Sequence, residues 1–182
     1  MATGAPANCT ECRGLQFASF HKVTASGSMT TNNTNLLMLT PPEGFTSFTA
    51  SGDVCLTRAV VPDTITTLLL GAFQNTPLRH IEIQEGVTTI SNSTFAYSQL
   101  ETIILPSTVT SFGNNVFYAS TELYLEYIVI KATTPPTISS TTFANSNNCI
   151  IYVPDSAVNT YKAANNWSAL ASRIKGVSER PT

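Results

Sequence analysis

Charged side chains are scarce in this sequence. Asp, Glu, Lys and Arg make up 11% of the 182 residues, against roughly 25% in an ordinary globular protein. The nine basic residues are spread along the chain and the formal net charge is -2. Because nucleic acids and anionic membranes are bound mainly by clustered Lys and Arg, we expect neither as a partner.

Long apolar runs are also lacking. No stretch approaches the roughly 18 consecutive apolar residues that a membrane-spanning helix needs, so we expect no membrane insertion. The first residues, MATGAPANCTECRG, have no basic segment followed by an apolar one, which a secretory signal would have. From the chain as given, we expect no export by such a signal.

Cysteine and histidine are too few for most metal and redox chemistry. Of the four cysteines, Cys9 and Cys12 form one C-x-x-C pair. The pair could provide half of a zinc site, act as a redox couple, or remain as free thiols in an N-terminal arm. The last reading is favoured because the nearest other donors, His21 and Cys55, have no paired spacing. The acidic residues form no D-x-D-x-D pattern, so we expect no metal and no cofactor.

The chain is instead dominated by repetition. Segments of 22 residues beginning at Leu56, Leu78 and Leu100 superimpose, and a fourth begins at Leu125 after a longer spacer. Repeats of this length are typical of solenoids, in which each coil buries its apolar face only by stacking on its neighbours.

Apolar side chains recur at matching positions in every repeat. Within each predicted strand they are two residues apart, which places them on one face, and a phenylalanine follows after a bend. We expect these side chains to fill the interior, with the phenylalanines stacked in a ladder. They are Leu56, Ala59, Val61, Ile65, Leu68 and Phe73; Leu78, Ile81, Ile83, Val87, Ile90 and Phe95; Leu100, Ile103, Leu105, Val109, Phe112 and Phe117; Leu125, Ile128, Ile130, Ile138 and Phe143.

The two ends differ from the repeats. Residues 1–55 are predicted to form an arm and a small β module for docking or capping, with strands in 14–23 and 36–40, a loop over 24–35 and a turn over 41–53. Residues 56–154 form the solenoid of four to five coils, ending in a strand over 149–154. Residues 155–182 are predicted to form a helical cap, with one helix over 157–165 and a second turn at Trp167, Leu170 and Ile174.

The repeats resemble a known family. The pattern L-x-x-I-x-I-P-x-x-V-T-x-I-x-x-x-x-F, clearest in LETIILPSTVTSFGNNVF, is similar to the BspA-like leucine-rich repeats, and the closing segment looks like the end of such arrays in gut Bacteroidetes. Gln84 and Lys131 depart from it, standing where Pro62 and Pro106 stand in other copies. The resemblance implies a mainly β leucine-rich-repeat solenoid that works in extracellular adhesion, to host matrix, cells or glycans, without enzymatic activity.

The outward positions of the strands form a candidate contact face. The first coils carry charge there, whereas the last three carry apolar and aromatic groups, which are typical of a contact surface. Either another chain binds these groups, or the N-terminal segment or C-terminal helix covers them. The face comprises Arg58, Val60, His80, Glu82, Thr102, Ile104, Tyr127, Val129, Ile150 and Tyr152.

Catalysis is not expected. His80 and Glu82 project from the same strand and could form an acid-base pair. No serine or cysteine is placed beside them as a nucleophile, and an open sheet does not exclude water. We therefore predict that the protein is not an enzyme and has no catalytic residues.

Two functional settings fit these features. We favour a structural and adhesive component of a bacteriophage virion, such as a head or tail fibre, decoration or attachment protein at the virion surface. Its partners would be virion structural proteins or a host surface protein or glycan, and self-association into a homo-oligomer is expected. The alternative is a bacterial cell-surface adhesin domain whose signal peptide has been removed.

Overall fold

The computed structural model describes residues 18–19, 27–30, 38–40, 45–51, 56–118, 125–146 and 148–181. The N-terminal arm with Cys9 and Cys12, and also Cys55, lie outside the described residues. The described strands are short, between two and five residues. They are β1 Ala18–Ser19, β2 Gly27–Thr30, β3 Met38–Thr40, β4 Phe45–Thr49, β5 Arg58–Val61, β6 Thr67–Leu68, β7 His80–Ile83, β8 Thr89–Ile90, β9 Thr102–Leu105, β10 Ser111–Phe112, β11 Tyr127–Ile130, β12 Ile150–Val153 and β13 Ile174–Gly176.

All strand pairings are parallel, as stacked coils require. The front strands form two sheets of four, in the orders β1-β3-β5-β7 and β13-β12-β11-β9. The back strands form the sheets β6-β8-β10 and β2-β4. Arg58 pairs with His80, and Thr67 pairs with Thr89, so front and back strands advance by the 22-residue spacing seen in the sequence. The predicted mainly β solenoid is confirmed.

The described N-terminal strands continue this stacking. β3 pairs with β5 through Met38 and Arg58, and β1 pairs with β3. The front sheet therefore runs across residue 55, where the sequence predicted a domain boundary. The strands Gly27–Thr30 and Phe45–Thr49 lie where a loop and a turn were predicted, so both of those assignments are wrong.

The interior is a column of aliphatic side chains beside a ladder of aromatic rings. Ring centroids are 5.6 Å apart between Phe73 and Phe95, 5.7 Å between Phe95 and Phe117, and 5.2 Å between Phe117 and Phe143. Each buried ring contributes about 2 to 3 kcal/mol by area. The predicted inward side chains are buried, except Ile81 and Leu125, which are only partly buried. The predicted ladder is confirmed.

Left-handed backbone conformations recur at the turns beside the ladder. Gly71, Ser93 and Asn115, two residues before a ladder phenylalanine, have φ of 60°, 56° and 55°. The same geometry recurs two residues after the phenylalanine at Asn75, Tyr97 and Asn145, with φ of 57°, 58° and 60°. The bends predicted on the side opposite the front strands are therefore turns with a fixed backbone shape.

The C-terminal segment covers the last coil. A 3-10 helix over Asp155–Ala157 leads into the only α-helix of the described chain, α1 Val158–Ala163, followed by 3-10 helices over Ser168–Arg173 and Val177–Glu179. Tyr161 and Trp167 are buried, and the Trp167 ring lies 5.7 Å from that of Phe143, which extends the aromatic ladder into the cap. β13 follows, pairing with β12 from Ile151–Ile174 onward, an additional strand that the sequence did not predict.

Candidate binding cleft on the front sheet

An open cleft of about 530 Å³ lies on the outward side of the front sheets. Its lining includes six of the ten residues of the predicted contact face. They are Arg58, Val60, His80, Glu82, Thr102 and Ile104. The structure thus brings together the outward positions of β5, β7 and β9.

The cleft lies at a break in the front sheet. β7 and β9 are edge strands of separate sheets, and among the described pairings no ladder joins them. One cause is Pro106, which has no N–H. At the corresponding positions of other coils, Gln84 N donates to Val61 O over 3.0 Å and Lys131 N donates to Leu105 O over 3.1 Å. We call this break the seam.

The seam is confined to the front of the solenoid. On the back, β8 and β10 pair through Ile90 and Phe112, and the rings of Phe95 and Phe117 remain stacked behind it. Since edge strands present backbone N–H and C=O groups without a ladder partner, the seam places hydrogen-bonding backbone at the cleft.

The floor of the cleft is apolar. Ala59, Ile81, Ile83 and Ile103 line it from their inward positions. Ile81 is the partly buried member of this set, which is consistent with its place at the seam. A ligand in the cleft can therefore contact side chains that would be sealed in a continuous sheet.

Side chains close both ends of the seam. At its start, the Arg79 guanidinium lies 3.6 Å from the Glu101 carboxylate, with both side chains about half exposed. At its end, the Glu85 carboxylate accepts hydrogen bonds from the backbone N and Oγ of Ser107, both over 2.9 Å. Lys131 Nζ lies 3.9 Å from the same carboxylate. Half-exposed pairs of this kind are worth little in water, so they bridge the seam without holding it as firmly as a ladder would.

The cleft carries charge of both signs around the apolar floor. Arg58 and Lys131 are cationic, and Glu82 and Glu85 are anionic. None of the described lining residues is aromatic. Ile104 is 44% exposed between these charged groups, which is unusual for a large aliphatic side chain in a strand.

The rest of the predicted face is not exposed as expected. Val129 and Tyr152 are buried, at 6% and 4% exposure, so their prediction as exposed contact residues is wrong. Tyr127 and Ile150 are half-buried. The Arg180 guanidinium lies 5.8 Å from the centroid of the Tyr127 ring, so the segment after β13 returns over this side. Of the two readings of the apolar end, internal covering by the C-terminal segment applies to β11 and β12.

The chemistry of the cleft is that of a binding site. His80 and Glu82 are exposed in an open cleft, where nothing shields a reaction from water. Burial raises the pKa of the Cys149 thiol to about 12, although Arg173 beside it acts in the opposite direction. That thiol is protonated at neutral pH and inaccessible, so it cannot serve as a nucleophile.

Metal and membrane chemistry find no support in the described part of the chain. It contains no group of three His, Cys, Asp or Glu side chains placed to hold a metal ion. None of its described helices has the length and apolar character needed to span a bilayer.

Some features of the site were not found from the sequence. The seam, its Arg79–Glu101 and Glu85–Lys131 bridges and the covering by Arg180 were all missed. One signal was available: Pro106 occupies a strand end where Gln84 and Lys131 stand in neighbouring copies, and a missing N–H predicts a weakened ladder.

Parallel strands stacked at a 22-residue spacing over a leucine, isoleucine and phenylalanine core define this chain as a leucine-rich-repeat solenoid. Residues 51–169 match the family model of the BspA type leucine-rich repeat region in six copies, so the chain belongs to that family. Repeats of this family form an interaction fold that is generally not enzymatic and typically surface-exposed.

The fold is shared with a solved structure. The crystal structure of a leucine-rich repeat protein from Eubacterium ventriosum superimposes with a TM-score of 0.62 at 22% sequence identity. The match covers 74% of this chain and 39% of the other chain, so this protein corresponds to less than half of that structure. Among curated proteins, none matches this chain.

Proposed function

We propose that this chain is a non-enzymatic recognition module that binds a protein surface through the front-sheet cleft. The observation that carries the proposal is the exposed Ile104, set between Arg58, Glu82 and Lys131 over an apolar floor at the seam. An apolar anchor inside a ring of charged groups is the usual anatomy of a protein-binding patch.

The proposed setting is the outside of a bacteriophage particle, as a head or tail fibre, decoration or attachment component. The alternative is a bacterial cell surface, where the chain would act as an adhesin domain. The low charge and hydroxyl-rich composition and the family membership support an exterior role of either kind. Mass spectrometry of purified particles separates the two, since the chain should be found in particles if it is a virion component and on intact cells if it is an adhesin.

The proposed partners are virion structural proteins, or a host surface protein or glycan. A second copy of this chain is also proposed as a partner, because an exposed apolar group at the cleft suits a symmetric contact. Sedimentation at increasing concentration tests this, and a monomer at all concentrations would contradict self-association.

The cleft is tested by Ile104→Asp with Val177→Asp as the matched control. Both positions are exposed aliphatic residues, at 44% and 40%, so both changes should leave the fold intact. Ile104→Asp should weaken binding to particles or cells at least tenfold, because a charge replaces the apolar anchor, whereas Val177→Asp should not. Equal binding by the two variants would contradict the proposed role of the cleft.

A further inference from the structure

One residue on the back of the solenoid has an unfavourable backbone conformation that its side chain does not suit. Tyr97 has a φ of 58°, in the left-handed region, where a bulky residue is a genuine outlier. The same position, two residues after the ladder phenylalanine, is occupied by Asn75 and Asn145 in other coils. Asparagine adopts this conformation readily because its short side chain bonds locally. Tyrosine is therefore retained at a position where asparagine would fold better.

Packing in the interior does not account for this tyrosine. Its side chain is 44% exposed, outside the buried core. Its ring lies 5.3 Å from the ring of Tyr118 at an angle of 65°, and its N–H donates to Tyr118 O over 2.9 Å. The result is a pair of aromatic rings fixed at the surface, and strain of this kind is concentrated at functional sites.

The surroundings of the pair carry no charge. The turn face is defined as residues 71–76, 93–99, 113–118 and 139–146, and no Asp, Glu, Lys or Arg occurs in any of these segments. Asn, Gln, Ser and Thr supply their polar groups, such as Asn75, Ser98 and Gln99. The front-sheet cleft has the opposite character, with charges and no described aromatic lining residue. The two faces therefore suit different ligands.

We propose that Tyr97 and Tyr118 form a binding site for a neutral oligosaccharide on the turn face. The apolar C–H face of a sugar ring stacks on an aromatic ring, while its hydroxyl groups pair with neutral amides and hydroxyls that both donate and accept hydrogen bonds. A protein ligand would be expected to bring charges that this face cannot match. The site is separate from the front-sheet cleft, so either can be right if the other is wrong.

The test compares Tyr97→Asn with Tyr97→Phe on immobilised β-linked oligosaccharides of glucose, galactose and N-acetylglucosamine. The natural chain should bind at least one of these sugars. Tyr97→Asn should lose at least tenfold in affinity while its midpoint of thermal unfolding rises by about 2 to 4 °C, since the strain is relieved. Tyr97→Phe keeps both ring and strain, so its affinity should stay within about threefold and its midpoint should not change.

Three results would overturn the proposal. They are the absence of binding to every sugar of the panel, undiminished binding by Tyr97→Asn, and a lower unfolding midpoint for Tyr97→Asn, which would show that the tyrosine serves packing. Ile104→Asp should leave sugar binding unchanged. A loss there would place the sugar in the front-sheet cleft and would equally refute the assignment to the turn face.

Discussion

The indole nitrogen of Trp167 donates a hydrogen bond to the carbonyl oxygen of Pro136 over 2.7 Å. Three other side chains of the cap do the same for the last coil, with Tyr161 bonding to Ala132 O, Asn166 to Ile138 O and Arg173 to Cys149 O. In the interior, backbone N–H groups of the next coil take this role, as Ser91 N does for Leu68 O. The cap thus replaces a missing coil with side-chain donors, which makes it part of the folding unit.

The first prediction concerns that substitution of donors. Trp167→Phe keeps an aromatic ring beside Phe143 but leaves Pro136 O without its buried partner, so the free energy of unfolding should fall by about 1 to 2 kcal/mol. Tyr161→Phe should show a similar loss at Ala132 O. Urea unfolding followed by circular dichroism measures both. A change below about 0.3 kcal/mol in each variant would show that the cap is not needed to satisfy these carbonyls.

The second prediction concerns the aromatic ladder. Phe95 is stacked between Phe73 and Phe117, so Phe95→Ala should lower the free energy of unfolding by about 3 to 5 kcal/mol through lost contact and a residual cavity. Phe95→Leu, which keeps most of the volume, should lose clearly less. Equal losses in the two variants would contradict a role for ring stacking at this position.

The sequence predicts the interior well because the physical signal there is periodic. Leu56, Leu78 and Leu100 are 22 residues apart, and burial of equivalent side chains follows directly from stacking. The ends were harder to predict. β13 has only Ile174 as a buried aliphatic anchor, and the strands before residue 50 lack the leucine and phenylalanine pattern, so nothing in their composition marks them as coils.

The site was predictable only in part. Alternation within strands correctly placed Arg58, His80 and Ile104 on the outward side. Alternation cannot show what later parts of the chain cover, and Val129 and Tyr152 were therefore assigned to the surface although they are buried. The seam depends on the absence of hydrogen bonds between two particular strands, for which Pro106 was the one local sign.

The third prediction concerns the turn glycine between two coils. Gly86 has a φ of 130°, and a Cβ there would lie 2.2 Å from the backbone oxygen of Asp63. Gly86→Ala should therefore cost about 2 to 4 kcal/mol, because both the conformation and the close backbone approach oppose a side chain.

Gly71→Asn is the matched control. Gly71 also has a positive φ, but a Cβ there meets only the movable end of Gln74, and Ser93 and Asn115 occupy the equivalent position. It should cost less than about 1 kcal/mol. A Gly86→Ala variant as stable as Gly71→Asn would contradict the close contact between the two turns.

The fourth prediction concerns alkaline pH. Burial raises the pKa of Cys149 from 9.0 to about 12, so unfolding releases a proton between these values. The stability from the protonated thiol is fully present below pH 9 and is lost as the pH rises toward 12, by on the order of 1 kcal/mol per pH unit.

Cys149→Ala removes this group and serves as the control. Between pH 8 and pH 10, the natural chain should lose about 1 kcal/mol more stability than Cys149→Ala in urea unfolding. The same pH dependence in both proteins would show that the thiol is not buried as described.

The most direct test of recognition through the front-sheet cleft is hydrogen exchange on the free chain and on the chain bound to intact particles or cells of its source. In the free chain, amides of β7 and β9 at the seam should exchange faster than those of β11 and β12, which are paired on both sides. On binding, residues 80–83 and 102–105 should become protected. Unchanged exchange at these residues in the bound chain would contradict the account.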